Sequence, residues 1–379
     1  MKKTLLAAAL IAGFAGVAQA ETSVTLYGII DTGIGYNQVK GTVDGADYKS
    51  SKFGVINGVQ SGSRWGLKGS EDLGDGLRAV FQLESGFDSS TGKSAQGGRL
   101  FGRQATIGLA GDSWGQLDFG RQTNIASKYL AGIVDPFNNG FGQANVGTSF
   151  SSANTLRLDN MVLYQTPNFS GFQFGVGYSF NADGAQNWNT TTGAGGLNPN
   201  DSNKRVVTTG LRYANGPIGV ALTYDNMHVG SNVAANGGSS VNVSEWNLGA
   251  SYDFEIVKAS LAFGQTRNGW FQGTTYDSNI ATPTLGAAQG LKVNSYLVGL
   301  SAPVGNGRVL ASWQMADPRN APEAAGDASL SKMQTYSLGY TYNLSKRTNL
   351  YAIGSYSRHV AFADDLKSTV LGVGIRHQF

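Results

Sequence analysis

Apolar and polar side chains alternate along most of this chain. Within residues 172–180, 245–254, 335–344 and 371–379, apolar side chains occupy nearly every second position, and polar or small ones lie between them. Because successive side chains of a β-strand point to opposite faces, each such segment has one apolar and one polar face. About sixteen segments follow this pattern, at 22–36, 58–69, 77–87, 99–110, 115–123, 156–166, 172–181, 204–215, 218–229, 244–254, 257–267, 293–303, 307–316, 333–344, 348–358 and 368–379.

The connections between these segments are alternately short and long. The short ones are 70–76, 111–114, 167–171, 215–217, 255–256, 305–306 and 345–347. The long polar ones are 37–57, 88–98, 124–155, 182–203, 230–243, 268–292, 317–332 and 359–367. This regularity is typical of up-and-down hairpins with two different rims. The pattern predicts one domain, with no linker and no helical period of useful length.

Composition indicates what the two faces meet. Only 14% of the residues are charged, against about 25% in a typical globular domain, and the mean hydropathy is −0.18. No apolar run reaches the length of about 20 residues that a transmembrane helix needs. These properties favour an all-β fold, a 16-stranded antiparallel transmembrane β-barrel with lipid outside and water within. A β-sandwich also alternates, but its strands are usually shorter and joined in Greek keys.

The first residues have the features of a secretory signal. Lys2 and Lys3 precede an apolar stretch at 5–17, and residues 18–20 form a small-x-small cleavage site. We therefore expect a signal peptide at 1–20 and a single barrel domain of 359 residues (379 minus 20) at 21–379. The absence of cysteine indicates a bacterial envelope protein without disulfides. Removing both lysines lowers the formal net charge from +3 to about +1 (3 minus 2), so the global charge indicates no particular partner.

Several motifs are similar to those of one protein family. They are VTLYGIID at 24–31, SRWGLKGSEDLG at 63–74, GRQ at 102–104, LDFGRQ at 117–122, YQTPNFSGF at 164–172, YNLSKRT at 342–348 and GIRHQF at 374–379. In this order they resemble the general porins of β-proteobacteria such as Neisseria, Bordetella, Burkholderia and Comamonas. The resemblance implies a multi-pass homotrimer in the Gram-negative outer membrane, surrounded by lipid and lipopolysaccharide. It also implies a third loop folded into the pore and a terminal Phe379 read by the barrel-assembly machinery.

The connection at 124–155 is the candidate constriction loop. A barrel of about sixteen to eighteen strands is wide enough for an aqueous channel, so some element must narrow it. This connection is long and rich in Gly and Asn, and unstructured loops of such length are usually functional. We expect it to bend inward, with Asp135, Pro136 and Phe137 in its central cluster. The alternative is an ordinary loop exposed at the surface.

Basic residues are expected on the opposite wall. Arg64, Arg103 and Arg157 precede the next short turn by similar distances on their strands, so they lie at similar depth, with Lys68 and Arg78 nearby. Rings of arginine or lysine favour the passage of anions. The resemblance implies that the three arginines occupy the constriction positions of anion-selective porins. The alternative is that they only solvate a polar wall.

Arg103 conflicts with the alternation. It shares parity with Ala105 and Ile107, which look lipid-facing, and an arginine on the lipid face costs about 2–4 kcal/mol. A β-bulge between Arg103 and Ile107 would turn the side chain inward; otherwise it lies at the rim. Inward carboxylates that can pair with the cations, and so weaken an anion preference, are Glu84, Asp118, Asp159 and Asp31.

Catalytic chemistry has no support in the sequence. The histidines His228, His359 and His377 lack metal-ligand spacing, and no nucleophile elbow or phosphate loop occurs. Arginines that alternate along strands argue against nucleic-acid binding. We therefore expect no enzyme, no cofactor and no metal, but a water-filled channel for passive diffusion of small hydrophilic solutes and ions that prefers anions. The alternatives are a substrate-specific anion channel with a saturable site in the constriction, and a surface receptor or adhesin with a plugged barrel.

Overall fold

The computed structural model describes residues 23–188, 201–230, 240–326 and 329–379. The signal peptide predicted at 1–20 lies outside the described residues, as do parts of the connections predicted at 182–203, 230–243 and 317–332. In the described part, seventeen strands form one antiparallel sheet. They are β1 (Ser23–Val43), β2 (Ala46–Asn57), β3 (Arg64–Gly74), β4 (Leu77–Gly86), β5 (Gln104–Gly111), β6 (Gly115–Thr123), β7 (Arg157–Gln165), β8 (Phe172–Ser179), β9 (Lys204–Asn215), β10 (Ile218–Val229), β11 (Val241–Asp253), β12 (Lys258–Trp270), β13 (Gly286–Val304), β14 (Gly307–Asn320), β15 (Met333–Asn343), β16 (Thr348–Arg358) and β17 (Lys367–Gln378).

The sheet closes into a barrel of sixteen wall strands. Strand β1 pairs with β17, where Gly33 lies opposite Gly374. On its other side β1 pairs with β2 over residues 32–43 and with β3 over residues 23–29. Strands β2 and β3 are therefore two parts of one wall strand, interrupted at 58–63, which leaves sixteen positions (17 minus 1). The predicted fold class is confirmed.

Apolar side chains of the strands face outward and polar ones face inward, as the alternation predicted. On β15, Tyr336 and Leu338 are 43% and 61% exposed, whereas Thr335 and Ser337 are buried. Large apolar side chains are exposed in the same way on most of the other strands. A transmembrane barrel requires this arrangement, because its outer face meets hydrocarbon and its inner face meets water.

The two rims also differ as predicted. One rim, which we call the short-turn rim, is made of the tight connections 75–76, 112–114, 166–171, 216–217, 254–257, 305–306 and 344–347. In the turn between β9 and β10, Gly216 has a φ of 55°, a conformation that glycine adopts without steric cost. The opposite rim carries the long connections.

The polar loop predicted at 37–57 is wrong. Strand β1 continues to Val43 and β2 covers Ala46–Asn57, so the segment is a long β-hairpin. Part of this hairpin packs on other connections of the rim, since Val39 is 1% exposed and belongs to an apolar cluster with Tyr276 and Phe362. Its sequence therefore does not show the simple alternation of a strand between lipid and water. Other predicted boundaries also move: β3 begins at residue 64 and not at 58, and β5 at 104 and not at 99. Strands β12, β13 and β14 extend into the connections predicted at 268–292 and 317–332.

The connection at 124–155 contains a helix, α1 (Ile125–Val134), so the prediction of no useful helical segment is wrong. Asn124 caps the helix, its Oδ1 accepting a hydrogen bond from the Ser127 backbone N–H at 3.3 Å. No helix in the described ranges is long and apolar enough to cross a bilayer. Short 3₁₀ turns lie at Gln96–Gly98, Gly142–Ala144, Val146–Thr148, Ser151–Ala153, Glu323–Ala325 and Val360–Phe362.

Helix α1 packs on strands that offer glycine in place of larger side chains. A Cβ atom added at Gly219 would lie 3.1 Å from Ile133, and one at Gly249 would lie 2.5 Å from Val134. The neighbour of Gly249 on β11, Leu248, is exposed on the outer face. Because consecutive side chains alternate, α1 contacts the inner face. The main apolar core accordingly lies inside the barrel, between this connection and strands β7–β13.

Candidate functional site

A cluster of arginines, which we call the arginine wall, gathers on the strands opposite α1. Its members are Arg64, Arg99, Arg103, Arg121, Arg157 and Arg376. Arg157 lies within electrostatic range of Arg64 and Arg103, and also of Arg121. Arg64 in turn lies within range of Arg103 and Arg376. The structure therefore brings the three predicted arginines together and adds others to them.

Arg103 reaches this cluster without a bulge. It precedes β5, which begins at Gln104, and strand parity therefore does not fix its direction. Its Nε atom donates to Glu84 Oε1 at 2.6 Å, and both side chains are 11% exposed. The bulge considered between Arg103 and Ile107 is wrong, because β4 and β5 pair in continuous register from Gln104 onward. The ion pair leaves little net charge at this point of the wall.

Asp159 holds two further arginines. Its carboxylate accepts hydrogen bonds from Arg99 Nη1 at 2.8 Å and from Arg121 Nη1 at 2.6 Å. Parity with the exposed Phe119 would place Arg121 on the outer face. The pairing of β6 and β7 shifts register between residues 120 and 122, and this irregularity redirects the side chain. Motif LDFGRQ, which contains Arg121, is the sequence signal that could have identified it.

Two of the predicted arginines have no ion-pair partner in the described structure. Among the described residues, no carboxylate lies within ion-pair distance of Arg64 or Arg157. The Nε atom of Arg64 donates to the Gly62 carbonyl at 2.9 Å. The Nε atom of Arg157 is buried without a hydrogen-bond partner in the described structure. Arg157 lines a cavity together with Arg99 and Arg121. Since guanidinium groups bind oxyanions strongly, Arg64 and Arg157 offer positive charge to an anion that enters.

Lys68 and Arg78 lie apart from the arginine wall. Lys68 follows Arg64 by four residues on β3, or about 13 Å toward the short-turn rim, and its Nζ lies 5.6 Å from the ring centre of Tyr27. Arg78, near the start of β4, pairs with Asp112 at 2.9 Å at the same rim. Both side chains line inner cavities, but neither shares the depth of the three predicted arginines.

The interruption at 58–63 forms part of the same wall. Buried Asp31 accepts hydrogen bonds from the Ser61 backbone N–H at 2.6 Å and from Tyr351 Oη at 2.6 Å. Arg376 Nε donates to Ser61 Oγ at 3.0 Å. Asp31 therefore anchors the chain where the wall strand breaks, close to the Arg376 guanidinium.

Asp135 organises the connection at 124–155 from within. Its carboxylate accepts backbone N–H bonds from Phe137 at 2.9 Å, Asn139 at 2.8 Å and Val146 at 3.2 Å. Burial raises the pKa of Asp135 to about 6, although these three N–H groups favour the charged form. The contacts show a residue that shapes the loop.

Pro136 and Phe137 anchor the same connection. A Cβ atom at Gly299 of β13 would lie 2.7 Å from the Pro136 ring. Phe137 is 2% exposed and packs on Phe141, with ring centres 5.5 Å apart. Phe141 packs in turn on Tyr351 of β16 at 5.7 Å. These contacts extend the loop from α1 toward β16.

Buried hydrogen bonds tether both ends of this connection to the barrel. Asn124 Nδ2 donates to Asp225 Oδ1 on β10 at 2.8 Å. Glu245 on β11 accepts from the Ser152 backbone N–H at 3.1 Å, from the Ser152 hydroxyl at 3.0 Å and from the Ser151 hydroxyl. Because buried polar networks of this kind rigidify a structure, the loop is held as a fixed wall.

A second connection, at 271–285, packs against the first. The backbone N–H groups of Phe271 and Gln272 donate to Ser151 Oγ and to the Ser151 carbonyl, both at 3.2 Å. Asn154 Nδ2 donates to the Gly273 carbonyl at 3.1 Å. Phe271 is buried in the same core as α1. The sequence of the connection at 271–285 resembles that of an ordinary polar surface loop, so no pattern in it predicts this packing.

The site therefore consists of a cationic wall and an opposing, tightly held loop. The described residues contain no group of three His, Cys, Asp or Glu side chains that could hold a metal ion. Unpaired arginines in a narrow passage with low-dielectric walls attract anions and raise their local concentration.

Comparisons with known proteins agree with this architecture. The family described as Gram-negative porin matches residues 7–360. An outer membrane porin protein of Bordetella pertussis is 59% identical over 100% of both chains. Outer membrane porin protein 32 of Delftia acidovorans is 33% identical over 98% of this chain and 92% of its own. The anion-selective porin from Comamonas acidovorans superposes with a TM-score of 0.70 at 30% identity, covering 94% of this chain and 100% of its own. The predicted family is confirmed, and the chain belongs to the Gram-negative porins of the bacterial outer membrane.

Proposed function

We propose that this porin is a water-filled channel for the passive diffusion of small hydrophilic solutes and ions, and that it prefers anions. The observation that carries the proposal is the unpaired charge of Arg64 and Arg157 opposite the inward connection at 124–155. Rings of basic side chains favour anion passage. The solved relative from Comamonas acidovorans is described as anion-selective, which supports the same preference here.

The connection at 124–155 is the proposed constriction loop. It lies on the inner face of the strands, and its tethers to Asp225 and Glu245 oppose displacement into the lumen or out of it. Asp135, Pro136 and Phe137 give it shape. Arg64, Arg103 and Arg157 form the constriction's basic side, whereas Lys68 and Arg78 extend positive charge toward the short-turn rim. No step of this function requires a cofactor or catalytic group.

Reversal potentials in a KCl gradient test the proposal. Purified porin in a planar bilayer is expected to be more permeable to chloride than to potassium. Arg64→Gln and Arg157→Gln should each lower the permeability ratio, and Lys346→Gln, which removes an equal charge from an exposed short turn, should leave it unchanged. Equal or cation-biased permeability in the wild type, unaltered by the two arginine substitutions, would reject the anion preference.

Assembly is proposed to follow the family pattern. We propose a homotrimer, exported with the signal peptide 1–20, that the barrel-assembly machinery inserts among outer-membrane lipid and lipopolysaccharide with the short-turn rim toward the periplasm. Phe379 suits a terminal signal, since its side chain is 43% exposed while its backbone N–H donates to the Gly28 carbonyl at 3.1 Å. A structure of Vibrio cholerae OmpT is described as a trimer form. Light scattering of the detergent-extracted protein would measure the stoichiometry, and a monomer mass would contradict the proposal.

A further inference from the structure

A second basic cavity lies at the short-turn rim, between α1 and the ends of the neighbouring strands. Its volume is about 380 Å³. Three cationic side chains from separate elements line it, namely Arg78 of β4, Lys128 of α1 and Arg212 of β9. This cavity is distinct from the arginine wall, none of whose members lines it.

Two of these three cations have no carboxylate partner within ion-pair distance in the described structure. Arg78 pairs with Asp112. The Nζ atom of Lys128 donates to Gln122 Oε1 at 3.2 Å, which leaves donors of its ammonium group available. Arg212 donates from Nε at 2.8 Å and from Nη2 to a single acceptor, Gln173 Oε1. Asp112 also lines the cavity, and the charge of Asp118 acts on Lys128 from nearby, so three cations face two carboxylates and the cavity keeps a net positive charge and unused donors.

The two cations are also held in position. The guanidinium carbon of Arg212 lies 5.0 Å from the ring centre of Tyr129, a cation–π contact. Tyr129 is the neighbour of Lys128 on α1, and it is 1% exposed. Since α1 is packed on the barrel wall, the ring that holds the Arg212 guanidinium is itself fixed, while the Lys128 ammonium is held by Gln122. Preorganised donors lose little entropy when a ligand binds.

We propose that this cavity is a binding site for small divalent oxyanions, such as phosphate or a small dicarboxylate. Lys128 and Arg212 would each bind one anionic oxygen, as cationic donors do in charge-assisted pairs. Acetate carries a single negative charge and would therefore be held more weakly by the two cations than a divalent anion. The site rests on the proposed function only in requiring a conducting channel, and its cations are not members of the arginine wall.

Block of the chloride current tests the site. Inorganic phosphate, succinate or acetate is added at constant ionic strength to either side of a bilayer holding channels inserted from one side. Phosphate and succinate should reduce the current at lower concentration from the short-turn side, and acetate should not. Arg212→Gln and Lys128→Met should each raise the half-blocking concentration about tenfold. Lys346→Met removes a charge from the same rim outside the cavity and should leave the block unchanged.

Three results would overturn the site: block of equal strength from both sides, wild-type block in both variants, or block abolished by Arg64→Gln alone, which would assign it to the arginine wall. Arg212→Lys keeps the charge and should retain most of the block. Unit conductance in KCl shows that each variant folds. Failure of the proposed anion preference would appear separately, in the reversal potential without phosphate.

Discussion

The pair of Glu84 and Arg103 allows the charge of the arginine wall to be raised by one substitution. Glu84→Gln keeps the size of the side chain and an acceptor for Arg103 Nε, which now lies 2.6 Å from the carboxylate. It removes a negative charge and leaves the guanidinium unneutralised. The chloride-to-potassium permeability ratio should therefore increase.

Coulomb's law gives the size of this effect. A unit charge about 8 Å from the ion path contributes about 0.5 kcal/mol in water and about 2 kcal/mol at an effective dielectric of about 20. The energy acts with opposite sign on the two ions, and salt at about 0.1 M, with a Debye length of about 10 Å, reduces the lower value by roughly half. The lower value, doubled for the two ions and halved by screening, is about 0.5 kcal/mol; since about 1.4 kcal/mol is a tenfold ratio, we expect an increase of at least about twofold.

Reversal potentials of the wild type and four variants measure it. Arg103→Gln should lower the ratio, because it leaves the Glu84 carboxylate unpaired. The double variant should return close to the wild-type value, since both charges are then absent. Glu71→Gln, an identical change at an exposed position of β3, is the matched control. An unchanged ratio in Glu84→Gln, or a double variant that behaves like Arg103→Gln alone, would refute the reasoning.

Three further outcomes follow from the inward connection. Burial lowers the pKa of Lys128 to about 8, so the charge of this side chain is lost above that pH. The anion preference of the wild type should therefore fall between about pH 7 and pH 9. Reversal potentials at stepped pH would show this fall, and the Lys128→Met variant should not show it. Phe137→Ala should destabilise the docked loop by about 3–5 kcal/mol and add brief closures to single-channel records; steady currents would contradict this. Glu245→Gln places an amide where the Ser151 and Ser152 donors need an acceptor, at a cost of about 1–3 kcal/mol. The loosened connection should be cleaved faster by trypsin at Lys128. A cleavage rate equal to that of the wild type would argue against Glu245 as a tether of the connection.

The barrel could be predicted because every wall strand must present an apolar face to lipid and a polar face to water. A wall that separates hydrocarbon from water must alternate, as Tyr336 and Ser337 do. The same reasoning fails at 37–57, where part of the hairpin of β1 and β2 packs on other connections, as Val39 does, and the boundary between lipid and water no longer imposes a period. Helix α1 had a signal, since Ile125, Tyr129 and Ile133 recur every fourth residue, but ten residues in a Gly-rich loop give it little weight.

The candidate site was predictable only in part, because side-chain direction was inferred from regular geometry. Arg64 follows strand parity, and it lies where the pattern placed it. Arg103 and Arg121 depart from parity, one by preceding its strand and the other through a shift in register. The division between neutralised and free arginines depends on contacts between residues far apart in the sequence, such as that of Arg99 with Asp159, and no local pattern contains them.

The seam between the connections at 271–285 and 124–155 also limits which outer parts of the molecule can change. Surface loops usually tolerate insertions and substitutions, which lets exposed regions diversify at little structural cost. Here the backbone N–H groups of Phe271 and Gln272 donate hydrogen bonds to Ser151, which lies in the proposed constriction loop. Diversification of that outer segment would disturb permeation, and cell-surface variation should therefore concentrate in the connections that leave this seam untouched.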